Sequence, residues 1–95
     1  MRITEKYLRT QIENLNSLVG LAGVPIYRTE NGRIIGGNPG VYTLNCAYGG
    51  YALHRMSASG STGIVDIFYG YFAPRILSDK IAGFMTGISA AKHGH

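Results

Sequence analysis

Asn45, His54 and Asp66 are the polar residues whose types and spacing come nearest to a reactive constellation. Asn45 and His54 lie on either side of Gly49-Gly50, so a hairpin turning there sets them side by side on one sheet face. Asp66 joins them if its own strand pairs beside Tyr51–Met56. A carboxylate next to an imidazole favours the charged ring and orients it, the beginning of an acid–base site. The missing part is a nucleophile or a metal. Cys46 falls on the opposite face by strand alternation, which disfavours a Cys–His dyad. Thr43 and Ser57 carry no activating pattern. The competing reading is an ordinary solvated sheet face, and no catalysis is expected.

Tyrosine is the stronger signal. Seven are present and no tryptophan: Tyr7, Tyr27, Tyr42, Tyr48, Tyr51, Tyr69 and Tyr71. Tyrosine carries an apolar ring with a polar tip and is enriched at interfaces. Tyr48 and Tyr51 flank Gly49-Gly50, and Arg55 follows on the same strand. The expected binding residues are therefore Tyr48, Tyr51 and Arg55, with Arg33, Asn45 and His54. Tyr69, Tyr71 and Phe72 make a second aromatic cluster. The competing reading is that these rings close one end of the core.

Other chemistries are excluded by pattern. Gly36-Gly37-x-x-Gly40 lacks the Gly-Lys-Ser/Thr ending of a phosphate loop and joins strand to strand. HExxH, CxxC and paired-carboxylate spacings are missing. One cysteine cannot form an internal disulfide or a thiolate zinc site, and it suits a reduced cytoplasm. No metal or cofactor is expected. His93 and His95 sit on a tail, Lys92–His95, that reads as a frayed end. No N-terminal segment resembles a signal peptide, and no apolar run nears the ~20 residues of a membrane span.

These side chains need elements to hold them. From Thr4 to Val19, Leu8, Ile12, Leu15 and Val19 repeat at helical spacing, with Thr4 as cap and Gly20 as stop. Val24–Arg28 is extended, and Asn31-Gly32 marks a hairpin returning along Arg33–Gly36. That turn sets Glu30 opposite Arg33 and Arg28 opposite Ile35. Val41–Tyr48 and Tyr51–Met56 form the second hairpin, pairing Tyr48 with Tyr51, Cys46 with Leu53, Leu44 with Arg55 and Thr43 with Met56. Its core face is Tyr42, Leu44, Cys46, Tyr48, Tyr51 and Leu53. Ser57–Gly63 reads as a flexible loop and Ile64–Tyr69 as a third strand. Pro74–Ser89 is a second helix with Leu77, Ile81, Phe84 and Ile88 on one face. Gly83 and Gly87 lie one turn apart on it, suited to close approach of another element, or tolerated near a frayed end. The expected architecture is a single α+β domain over residues 1–95: a two-layer fold whose antiparallel sheet of hairpins is covered on one face by both helices. The other face then exposes Val41, Met56, Ile64 and Phe68, a patch that a homodimer would hide.

The chain has 95 residues, 45% of them hydrophobic, which suits one small domain and excludes a multidomain enzyme. Fourteen glycines imply many tight turns. Nine basic against five acidic residues give a net charge of +4, compatible with nucleic acid, but the basic residues form no run. The helix–strands–helix order resembles double-stranded RNA-binding domains superficially, yet Arg75 and Lys80 alone stand where those domains carry a basic cluster.

From Tyr42 to Arg55 the chain reads Tyr-x-Leu-x-x-Ala-Tyr-Gly-Gly-x-x-Leu-x-Arg. With Ile12-Glu13-Asn14-Leu15-Asn16 before it and Phe84-Met85-Thr86-Gly87-Ile88 after it, this resembles a family of small uncharacterised proteins of tailed bacteriophages and prophages. The resemblance runs nearly end to end. It departs at Ile64–Tyr69, which is more apolar than the family's glycine-rich stretch. It implies an accessory protein acting in the host bacterial cytoplasm, and it implies no particular activity. Small non-enzymatic phage proteins commonly bind and inhibit a host protein or defence complex. Two alternatives are a nucleic-acid-binding module using Arg28, Arg33, Arg55 and nearby tyrosines, and a small-molecule binder, for instance of a nucleotide signal, at a subunit interface.

Overall fold

The computed structural model describes residues 2–57 and 64–93. Most of the Ser57–Gly63 loop and the end of the histidine tail lie outside the described residues. The order is α1 (Glu5–Leu18), β1 (Tyr27–Glu30), β2 (Arg33–Gly37), β3 (Tyr42–Ala47), β4 (Gly50–Met56), β5 (Ile64–Asp66) and α2 (Pro74–His93). The fold is α+β, as expected. The strands divide into two antiparallel sheets, a β1–β2 ribbon and a β3–β4–β5 sheet. Among the described residues, no helix is long and apolar enough to cross a membrane.

Thr4 caps α1, its hydroxyl accepting from the Tyr7 N–H at 3.1 Å. Leu8, Ile12 and Leu15 then face inward and share one core with Tyr42, Leu53, Leu77 and Ile81. Phe84 and Phe68 pack at its margin, edge to face with ring centres 5.9 Å apart. The two helices, first and last in this order, are tied directly. Gln11 Nε2 donates to the Ser78 carbonyl at 3.0 Å, and Lys92 Nζ donates to the Leu18 carbonyl at 2.7 Å. That second bond corrects the reading of Lys92 as part of a frayed end, since α2 continues to His93. Gly83 and Gly87 approach nothing, because a Cβ at either would meet open space. The close-approach reading is therefore withdrawn. Gly83→Ala and Gly87→Ala are each expected to raise stability by about 1 kcal/mol, the helix-propensity difference, as measured by urea unfolding.

Asn16 secures the free edge of the larger sheet. Its Oδ1 accepts from the Tyr42 N–H at 2.8 Å and its Nδ2 donates to the Tyr42 carbonyl at 3.0 Å. One side chain thus satisfies both outward backbone groups of that residue.

Four expectations about the strands need correction. The second hairpin turns at Tyr48-Gly49, with φ of 54° and 73°, instead of at Gly49-Gly50. Tyr42 therefore pairs with Arg55, Thr43 with His54, Leu44 with Leu53, Asn45 with Ala52 and Cys46 with Tyr51. The slip is two residues, so the paired side chains keep their faces, but Tyr48, expected on the core face, falls in the turn, is exposed and packs on Tyr71 instead. Gly50 is reserved for another purpose: a Cβ there would lie 3.1–3.3 Å from the backbone of residues 71–72.

In the ribbon, Asn31-Gly32 forms the expected turn and Glu30 faces Arg33, but a bulge sets Arg28 opposite Gly36 instead of Ile35. Cys46 is exposed, because at the far end of β3 it reaches past the helical core. Finally, β5 stops at Asp66, whose Oδ1 accepts from the Tyr69 N–H at 3.0 Å and bends the chain away from the ladder. Phe68 is thereby turned to the helical side, half-buried against the margin of the core. Val41 and Met56 are buried, leaving Ile64 as the exposed member of the expected four-residue patch.

Candidate functional site

The sheet face turned away from the helices carries Asn45, His54 and Asp66, and the excursion after β5 adds Tyr71. His54 pairs directly with Asp66 across β4–β5. Continuing that ladder, Ile67 donates to the Leu53 carbonyl at 3.1 Å. A regular ladder would next set residue 69 opposite Tyr51. Phe72 stands there instead, exchanging backbone bonds of 2.9 and 2.8 Å with Tyr51. The three surplus residues form a loop. Tyr69 at its apex takes φ 57° and Gly70 φ 155°.

The loop returns Tyr71 across the sheet face. Its hydroxyl accepts from Asn45 Nδ2 at 2.6 Å. Its ring lies edge-on to His54, 6.3 Å between centres, and edge-on to Tyr48, 5.3 Å between centres. His54 Nε2 is 4.0 Å from Asp66 Oδ2, an ion pair when the imidazole is protonated and longer than a hydrogen bond. Asn45 and His54 thus share one face around Tyr71, although they are not directly cross-strand partners as expected, because of the two-residue slip.

The remaining expected site residues lie elsewhere. Tyr51 is half-buried at the edge of the helical core, and Arg55 is exposed between Tyr42 and Val65 on that same side of the sheet. Arg33 is on the ribbon opposite Glu30. The expected set is therefore split into a Tyr48–Asn45–His54 group and three separate residues. Tyr71, which joins the group, was visible in the sequence only as part of an aromatic cluster. The Asp66-x-x-Tyr69-Gly70 spacing, an aspartate three residues before a positive-φ turn, was the signal that a loop follows β5.

As chemistry, the group offers an imidazole, a carboxylate, a phenol and an amide. Among the described residues no three His, Cys, Asp or Glu side chains are placed to hold a metal ion. Cys46 lies on the other side of β3, its Sγ donating to Glu5 Oε1 at 3.8 Å. Local desolvation, then the Glu5 charge and hydrogen bond, push its thiol pKa above the ordinary value, opposed by Arg9. A raised pKa leaves less thiolate at neutral pH. Glu5→Gln is accordingly expected to speed alkylation of Cys46 at pH 7.5, while desolvation still holds the thiol above its ordinary pKa. An unchanged rate would mean that Glu5 does not restrain the thiol.

No protein-family model, no curated protein and no solved structure matches this chain.

Proposed function

We propose that this chain is a phage-encoded accessory protein that acts in the host cytoplasm, binding and inhibiting a host protein or defence complex without catalysis. The contact surface is Tyr48, Tyr69 and Tyr71. The observation that carries this reading is the backbone beneath two of these rings. Tyr48 and Tyr69 are 92% and 88% exposed, and both hold left-handed conformations, φ 54° and 57°. That conformation costs a bulky side chain about 1–2 kcal/mol, and Asn or Gly would adopt it more cheaply. Neither ring recovers the cost by burial. Strain borne by exposed aromatic anchors is characteristic of binding sites, where tyrosine is a frequent hot-spot residue.

The test separates folding from binding. Tyr48→Asn is expected to leave stability within about 1 kcal/mol of the unaltered chain, the better turn residue offsetting the lost edge-on contact with Tyr71. Tyr48→Asn with Tyr69→Asn is expected to remove the partner that the unaltered chain retains from nuclease-treated host lysate. Loss of all partners on nuclease treatment favours the nucleic-acid module instead. A small molecule retained in the native mass spectrum favours the ligand binder. A partner held equally by the double variant excludes the tyrosine surface.

A further inference from the structure

Asparagine is a latent electrophile. The backbone nitrogen of the next residue can attack its side-chain amide carbon and close a five-membered ring. The chain has five asparagines, and four of them are held from that reaction. Asn14 and Asn16 lie in α1, where the following N–H is tied into the helical ladder. Asn16 also has both ends of its amide bonded to Tyr42. Asn38 precedes Pro39, which has no N–H to lose. Asn45 lies in β3, and its Nδ2 donates to the Tyr71 hydroxyl.

Asn31 has none of these restraints. Asn31 and Gly32 are the two loop residues of the β1–β2 ribbon, outside the Glu30–Arg33 pair that ends its ladder. The Gly32 N–H is therefore not a ladder donor. Gly32 has no side chain to shield its nitrogen, and a Cβ built there would meet open space. Asn31 is exposed, and its side chain makes no hydrogen bond among the described residues. The left-handed pair of φ 52° and 78° fixes the closed turn, and the ring closes only when that turn loosens. Loosening costs little here. A two-stranded ribbon is marginal in water, and every residue from Tyr27 to Ile35 is exposed.

We infer that Asn31 is a site of spontaneous covalent modification, converting to aspartate and isoaspartate through a cyclic imide formed with Gly32. The Gly32 nitrogen gives its proton to solvent base and bonds to Asn31 Cγ. The Cγ–Nδ2 bond breaks, and ammonia leaves. Water then adds to one of the two imide carbonyls. Opening at Cγ leaves aspartate. Opening at the Asn31 backbone carbonyl routes the chain through Cγ and leaves isoaspartate. Nothing is oxidised or reduced. Either product gains a carboxylate beside Glu30, so the net charge of +4 falls by one. Isoaspartate also lengthens the backbone by a methylene, which a two-residue turn in this register does not absorb. The strands then part at the tip. Their base stays anchored, because Asn38 donates from its backbone N–H to the Ile26 carbonyl at 2.9 Å and from Nδ2 to the Pro25 carbonyl at 2.7 Å. The modification is confined to the ribbon and does not rest on the reading of the tyrosine surface.

The full chain and a synthetic Thr29–Arg33 peptide are aged under the same conditions, at physiological temperature and neutral pH. Trypsin, cutting after Arg28 and Arg33, releases the same segment from the chain. The expected result is two products of equal mass in that segment, each heavier than its parent by the exchange of an amide for an acid. The intact chain should gain a more acidic form on ion exchange, faster as pH rises, because only the deprotonated nitrogen attacks. Its rate should lie within ~100-fold of the free peptide's, since opening the ribbon takes far less than global unfolding. Amide exchange in the aged chain should quicken in Thr29–Ile34 and stay unchanged in Leu8–Leu15. Asn31→Gly keeps a pair suited to the turn and should abolish the acidic form. Conversion more than ~100-fold slower than the peptide's overturns the inference. So does modification that appears first at another asparagine, or an acidic form that persists in Asn31→Gly.

Discussion

Leu53→Ala is expected to lower the unfolding free energy by about 3 kcal/mol, within the 2–5 kcal/mol typical of buried leucines. Leu53 is fully buried on the central strand of the larger sheet, in one cluster with Leu8, Leu15, Leu77 and Ile81. Truncation there opens a cavity facing both helices, and neither can collapse into it without losing its grip on the other. For a domain of this size the melting temperature should fall by roughly 12–24 °C. A stability of about 5–14 kcal/mol is usual for such a length, so a large part of the total is at stake. Leu53→Met, which nearly conserves volume, should cost less than about 1.5 kcal/mol. A fall under ~5 °C for the alanine variant would mean that Leu53 is not at the centre of the core.

The second large effect is expected at Asn16. Asn16→Ala removes the acceptor for the Tyr42 N–H and the donor to its carbonyl together. Each group loses its partner in a partly buried place, and stranded backbone groups cost about 1–3 kcal/mol apiece. Partial access of water brings the sum to about 2–4 kcal/mol. Asn16→Asp keeps the acceptor but turns a carboxylate oxygen toward the Tyr42 carbonyl, so it should be no better than alanine. Urea unfolding gives the magnitude, and faster exchange of the Tyr42 amide locates it. A cost below ~0.5 kcal/mol for Asn16→Ala would show that water replaces the amide freely.

How far these features could be read from the sequence depended on how local their causes are. The apolar stripe of α1, its Thr4 cap and the Asn31-Gly32 turn are each decided within a few residues, and all three stand as read. The register of the second hairpin is not a local matter. Gly49-Gly50 is the better turn by propensity, but Gly50 is taken up by the backbone of residues 71–72. The face shared by Asn45, His54 and Asp66 was legible all the same, because a slip of two preserves the side-chain alternation. The arrival of Tyr71 above them was not, since it follows from a three-residue surplus in a ladder that closes only at Phe72. Asn16 was similarly hidden, its two bonds spanning 26 residues.

The direct pairing of α1 with α2 has a consequence for synthesis. Their ties join residues 67 and 74 positions apart. Closing so long a loop costs entropy before those contacts form. At about 5–20 residues per second, a ribosome needs roughly 4–15 s to pass from the end of α1 to the end of α2. Throughout that interval Leu8, Ile12 and Leu15 have no partner helix. Tyr42 and Leu53 emerge first to cover that stripe, and Leu77 and Ile81, in the opening turns of α2, complete the cover.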